Sequence, residues 1–129
     1  MAAPKTSLRT PMAKVRGLGA AHRGTEHFVR QRVSAIGLVP LVLWFVWAVA
    51  AHAGATFTAS EAFLSHPVNA TLMLLLVLTG IYHAAIGIQV VIEDYIPSEG
   101  PRVALLLLNK FACVVVALAC TLAILKLAL

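Results

Sequence analysis

The sequence predicts an all-α membrane protein with three transmembrane helices and its N-terminus on the cytoplasmic side. Three observations carry that prediction. The chain has 129 residues and is 60% apolar, with a mean hydropathy of +0.91; one soluble domain of this length has too little interior to hide so much apolar surface. The apolar residues fall into three runs, each longer than the ~20 residues that cross ~30 Å of hydrocarbon at ~1.5 Å per residue. The basic residues gather ahead of the first run. Helices are the expected form, because a lone strand in lipid leaves its backbone polar groups without partners.

Residues 1–32 form a basic arm, with Lys5, Arg9, Lys14, Arg16, Arg23, Arg30 and Arg32 against Glu26 alone. A basic arm can bind nucleic acid, but beside a membrane span it holds its end on the cytoplasmic side, and no nucleic-acid partner is expected. Pro4, Pro11, Gly17, Gly19 and Gly24 predict an irregular backbone up to about Gly24. The stretch "TEHFVRQRVSAI" either begins the first helix or forms a short interfacial helix, with Thr25 as N-cap; Phe28 three residues on leaves it without a capping box.

The first span covers 33–53, "VSAIGLVPLVLWFVWAVAAHA", and holds no formal charge. It exceeds the ~7–15 residues of a signal h-region, so removal is not expected. An Arg-rich, acid-poor start is also found in mitochondrial transit segments. The expected location is nevertheless the bacterial cytoplasmic membrane, ahead of the mitochondrial inner membrane. Pro40 removes an N–H inside the span and predicts a kink. Trp44, Phe45 and Trp47 lie toward its middle rather than in an interfacial belt, so they pack on a partner helix or lipid, or touch a cofactor.

A loop over 54–66 follows, with Glu61 and no Lys or Arg, which suits the outer side. The second span covers 67–92, with Ser65 as cap and Pro67 in the first turn. The turn "EDYIPSEGP", 93–101, returns to the cytoplasmic side, and Pro101 opens the third span, 102–128. That span contains Asn109, Lys110 and Lys126; Lys110 either snorkels or faces a partner. Cys113 and Cys120, seven apart, share a face but lie roughly 10 Å apart along the axis, too far to bridge. They read as small residues facing other helices. No internal repeat is visible, which disfavours repeat-built transporter folds.

The chemistry sits in "HAAIGIQVVIEDY", His83 to Tyr95. Gly80 and Gly87 share the helical face of His83, and Ala84 and Ala85 add little bulk. The lowered surface admits either close helix packing or a flat group. An axial imidazole is a common ligand for haem iron; a membrane histidine equally serves hydrogen bonds between helices or a proton path. Asp94 follows His83 by eleven residues, three turns and about 20°, so its carboxylate lies about 16 Å along the same face. Tyr95 then offers a neutral donor at the membrane edge, suited to a carbonyl on an amphipathic ligand, with a carboxylate beside it to orient it or pass protons. The pair also reads as an interfacial anchor at a helix that simply ends in charge.

A histidine followed eleven residues later by Asp-Tyr, with a glycine four after the histidine, resembles the small hydrophobic membrane anchor (D-type) subunit of succinate dehydrogenase, respiratory complex II. The three spans, the basic N-terminus, the proline-containing loop after Tyr95 and the "RVSAIGLVP" opening of the first span are similar to that family too. The likeness covers about Glu26 to Leu129. It implies a subunit of a heteromeric helix bundle through which electrons from succinate reach quinone. It implies that His83 is one axial ligand of a haem b shared with a partner anchor, that Asp94 and Tyr95 belong to the ubiquinone site, and that Arg32 lies near the haem propionates, a suitable partner for a guanidinium. The implied partners are a flavoprotein subunit carrying FAD, an iron–sulfur subunit carrying the clusters, and a second membrane anchor, the cytochrome b-type C subunit. That C subunit would give the other haem histidine, since His52 and His66 fall at the outer end of their spans or in the loop. This chain has no Gly-rich dinucleotide fingerprint and no cysteine set for a cluster, so no activity is expected from it alone. Two other functions stay open: a non-catalytic accessory or assembly subunit of a respiratory complex, and a di-haem b-type cytochrome, which needs more mid-span histidines than His83. Glu93 and the basic arm receive no role.

Overall fold

The structure is a computed structural model that describes Met12 and residues 22–129; the irregular backbone expected up to about Gly24 falls mostly outside the described residues, but His22–Gly24 are already helical. The described residues form four helices: α1 (His22–Ala51), α2 (Phe57–Ser65), α3 (Pro67–Tyr95) and α4 (Glu99–Ala128). Three stretches, Thr25–Ala51, Pro67–Tyr95 and Glu99–Ala128, are long and apolar enough to cross a membrane.

Helix α1 starts well ahead of the apolar run. Thr25 therefore lies inside the helix and does not cap it, and "TEHFVRQRVSAI" is continuous with the first span. Local pairs one turn apart support that extension: Arg30 is ion-paired to Glu26, and the Arg32 guanidinium lies 5.0 Å from the centre of the Phe28 ring. The helix continues through Pro40.

Helix α2 stands where a loop was expected. Gly54, with φ of 82°, takes a left-handed conformation that glycine adopts without steric cost and turns the chain out of α1. Thr56 then caps α2, its hydroxyl accepting from the Ala59 N–H at 3.4 Å. Phe63 anchors the short helix to the end of α1. Its ring stacks on Trp44 at 6.3 Å between centroids and meets the His52 ring at 4.2 Å. The Asn69 amide donates to Phe63 O at 2.9 Å, and the Ser65 hydroxyl to Leu127 O at 3.2 Å. Trp44 thus finds its partner within the chain, whereas Trp47 is 62% exposed.

The cap of α3 is His66, not Ser65. Its Nδ1 accepts from the Val68 N–H at 3.3 Å, while the Ser65 hydroxyl also turns back to Glu61 O within α2 at 2.9 Å. Pro67 occupies the first turn as predicted, where a missing N–H breaks no helical bond. Helix α4 begins at Glu99, so Pro101 falls within its first turn rather than opening it. Glu99 at its start and Lys126 in its last turn both complement the helix dipole.

Helix α3 is the middle of a row. It packs against α1 on one side and α4 on the other, and the backbones of α1 and α4 do not approach each other among the described residues. The register with α1 is antiparallel. A Cβ built at Gly80 would lie 3.9 Å from Leu38 Cδ2, and one at Gly87 would lie 3.5 Å from Gln31 Nε2. The glycine face of α3 is therefore turned toward α1 and serves close helix packing. A row of three helices has two broad faces, so little of it is buried: Ala48, Ala70, Ile86, Ile124 and Ser34 are the buried positions among the described residues.

Asn109 joins α4 to α3, its amide donating to Ala85 O at 2.9 Å and its carbonyl accepting from the Cys113 thiol at 3.6 Å. Interhelical bonds of this kind contribute about 0.6 kcal/mol on average and up to about 1.7. Asn109→Leu is therefore expected to destabilise the purified membrane protein by about 1 kcal/mol, read as a lowered detergent-unfolding midpoint. An unchanged midpoint would remove Asn109 from the α3–α4 seam. Both cysteines are free.

Candidate functional site

Of the candidate residues, His83 alone meets other polar side chains, between α1 and α3. Gln31 and Ser34 are three apart on α1 and so share a face. His83 lies opposite them. Its Nδ1 is 2.9 Å from Ser34 Oγ, and its Nε2 is 3.4 Å from the Gln31 amide nitrogen. Ser34 Oγ also donates to Gln31 O at 3.0 Å. Ser34 is only 6% exposed, which is unusual for a hydroxyl unless it is fully partnered. Gln31 is less well served, because its Oε1 is buried without a hydrogen-bond partner. Gly87 leaves the room in which that amide lies across α3.

An open apolar groove of about 380 Å³ flanks the imidazole, lined by Ala35, Leu38, Val39, Val42, Leu43 and His83. Arg32 precedes Val39 by seven residues and Leu43 by eleven, close to whole numbers of turns, so it stands on the same stripe of α1. It therefore lies at the end of the groove nearer the start of α1. Its side chain is exposed and rests on Phe28.

Asp94 and Tyr95 close α3. Tyr95 is 78% exposed, and neither side chain makes a hydrogen bond or ion pair among the described residues. Glu93 accepts from the Gln89 amide at 2.8 Å, a local contact for a residue that sequence left without one. His83 and the Asp94–Tyr95 pair thus share one helix, but the chain gathers polar partners around the histidine alone. His52 and His66 lie at the opposite end of the row. His52 Nδ1 is 2.9 Å from Ala48 O, and His66 caps α3.

On another flank of α3, the polar residues His27, Arg30, Gln89, Asn109 and Lys110 border a partly apolar recess of about 260 Å³ with Tyr82. The sequence singled out Lys110 but not this grouping. It also missed Gln31 and Ser34 as neighbours of His83. The serine was visible in "RVSAIGLVP", but nothing local ties it to a histidine 49 positions away.

Residues 6–121 match the family model described as succinate dehydrogenase/fumarate reductase transmembrane subunit. The chain is 35% identical over 102 residues to a succinate dehydrogenase hydrophobic membrane anchor subunit of Rickettsia bellii, covering 79% of this chain and 82% of the relative. It is 32% identical over 110 residues to the subunit of that name from Paracoccus denitrificans, covering 85% of each. A third such subunit, from Rickettsia conorii, is 29% identical over 108 residues, 83% of this chain and 86% of the relative.

Proposed function

The chain belongs to the succinate dehydrogenase/fumarate reductase transmembrane subunit family, as a membrane anchor subunit of succinate dehydrogenase, and we propose that within that enzyme it supplies one axial ligand to a haem b and part of the site where ubiquinone is reduced. His83 is the ligand. Asp94 and Tyr95 are this chain's share of the quinone site, and Arg32 the partner of a haem propionate. The observation that carries the reading is the placing of His83 and the Asp94–Tyr95 pair along the middle helix of the row.

The residues around His83 fit a haem. Its Nε2 has one long hydrogen-bond contact, to the Gln31 amide nitrogen at 3.4 Å, which iron would replace; the Gln31 oxygen is buried and unpartnered, and the flanking groove is apolar. A single imidazole is what a porphyrin iron asks of one chain. When bound, haem supplies a one-electron carrier inside the membrane. Arg32, on the stripe of the groove wall, offers a bidentate donor for a carboxylate. At the end of α3 the Tyr95 hydroxyl donates to a quinone carbonyl and so favours negative charge developing on that oxygen. The Asp94 carboxylate beside it orients the phenol or accepts a proton from it.

Both faces of the helix row are open, so the groove and the Asp94–Tyr95 pair need walls from other chains. A second membrane anchor of the cytochrome b type would close the haem groove and bring the other histidine. The flavoprotein and iron–sulfur subunits would dock at the end bearing Asp94 and Tyr95, which the basic residues of the N-terminal arm hold on the cytoplasmic side of a bacterial membrane.

Purification of the assembled protein through a tag on this chain tests the reading. The expected preparation contains a flavoprotein, an iron–sulfur protein, one further small membrane protein and a b-type haem absorbance. Recovery of an assembled succinate dehydrogenase with no haem absorbance would reduce this chain to an accessory anchor.

A further inference from the structure

We infer that Ser34 is a positioning residue that selects which nitrogen of His83 faces the haem iron. The inference rests on the reading of His83 as a ligand and goes beyond it, because it concerns a residue of another helix. A serine hydroxyl has one proton. The Ser34 proton goes to Gln31 O at 3.0 Å, since a carbonyl oxygen can only accept. Oγ is then left with lone pairs toward His83 Nδ1 at 2.9 Å, so Nδ1 must carry the hydrogen in that bond. A neutral imidazole has a single N–H, which leaves Nε2 with the lone pair.

The Nδ1–H tautomer is thus set by Ser34, and its Nε2 lies 3.4 Å from the Gln31 amide nitrogen, a contact that an iron atom would replace. This is the tautomer that ligates through Nε2 while Nδ1–H is held from behind, the arrangement that orients metal-bound histidines generally. Ser34 is also the buried polar residue of the seam at 6% exposure, so water does not compete for Nδ1. The acceptor is a hydroxyl rather than a carboxylate, and it draws less electron density toward the ring nitrogen that ligates.

The test uses the whole purified complex carrying Ser34→Ala, Ser34→Cys or Ser34→Thr, with the haem midpoint potential and electron paramagnetic resonance spectrum as readouts. Ser34→Ala removes the acceptor and makes the imidazole a poorer donor to ferric iron. The expected result is a raised midpoint potential and shifted resonance positions with haem still bound. Ser34→Cys, close in size and a weak acceptor, shifts both in the same direction and carries the test if the alanine variant does not assemble. Ser34→Thr restores the acceptor and returns both to wild-type values. Wild-type values in the alanine and cysteine variants, or an equal shift in all three, would overturn the role of Ser34 while leaving His83 as ligand. If the spectrum is indifferent to His83→Ala as well, the ligand reading itself fails.

Discussion

Tyr95→Phe is expected to slow succinate:quinone reduction on the order of 10²-fold while succinate oxidation by a soluble artificial acceptor continues near the wild-type rate. The substitution removes one hydroxyl and little else. Tyr95 is 78% exposed and its hydroxyl bonds to no other described residue, so no internal hydrogen bond is lost and the fold should be indifferent. On the proposed reading, what is lost is a neutral donor to an oxygen that gains negative charge as the quinone is reduced. Removing a single such donor from a site shielded from water costs about 10²–10³ in rate elsewhere. Measuring both reactions on one preparation separates the two ends of the electron path. Equal loss in both would point to faulty assembly, and no loss in either would take Tyr95 out of the quinone site.

His83→Ala is expected to abolish the wild-type spectrum of the b-type haem. Iron that loses an axial nitrogen changes its ligand field whether or not the porphyrin stays, so the spectrum rather than the haem content is the reading. His52→Ala is the matched control. His52 already uses Nδ1 on Ala48 O at 2.9 Å and packs its ring on Phe63 at 4.2 Å, at the far end of the row. It should leave the haem spectrum unchanged and loosen α2 instead. A spectrum that responds to His52 and not to His83 would reverse the assignment.

Much of this is legible in the sequence. Three spans follow from composition and run length, because crossing a hydrocarbon layer is a demand each helix meets alone. The juxtaposition of His83, Asp94 and Tyr95 followed from spacing along a single helix, where 100° per residue is enough. Other features were not legible for identifiable reasons. Helix α2 is nine residues long, too short to show a clear period, and its anchor Phe63 finds Trp44 and His52 from another helix. Ser65 looked like the cap of α3, yet its hydroxyl donates to Glu61 O and Leu127 O and the His66 ring nitrogen takes the Val68 N–H.

The existence and order of the three spans were therefore readable from the sequence, since hydrophobicity decides them, whereas the early start of α1 and the whole of α2 were not. Nor were rotation and register between helices. A span that is apolar on every side has no amphipathic stripe to tell which face meets a neighbour. The meeting of Ser34 and Gln31 with His83, and of Asn109 with Ala85, emerged only when α1, α3 and α4 were packed, because those bonds depend on a few ångströms of sliding and a few tens of degrees of turning.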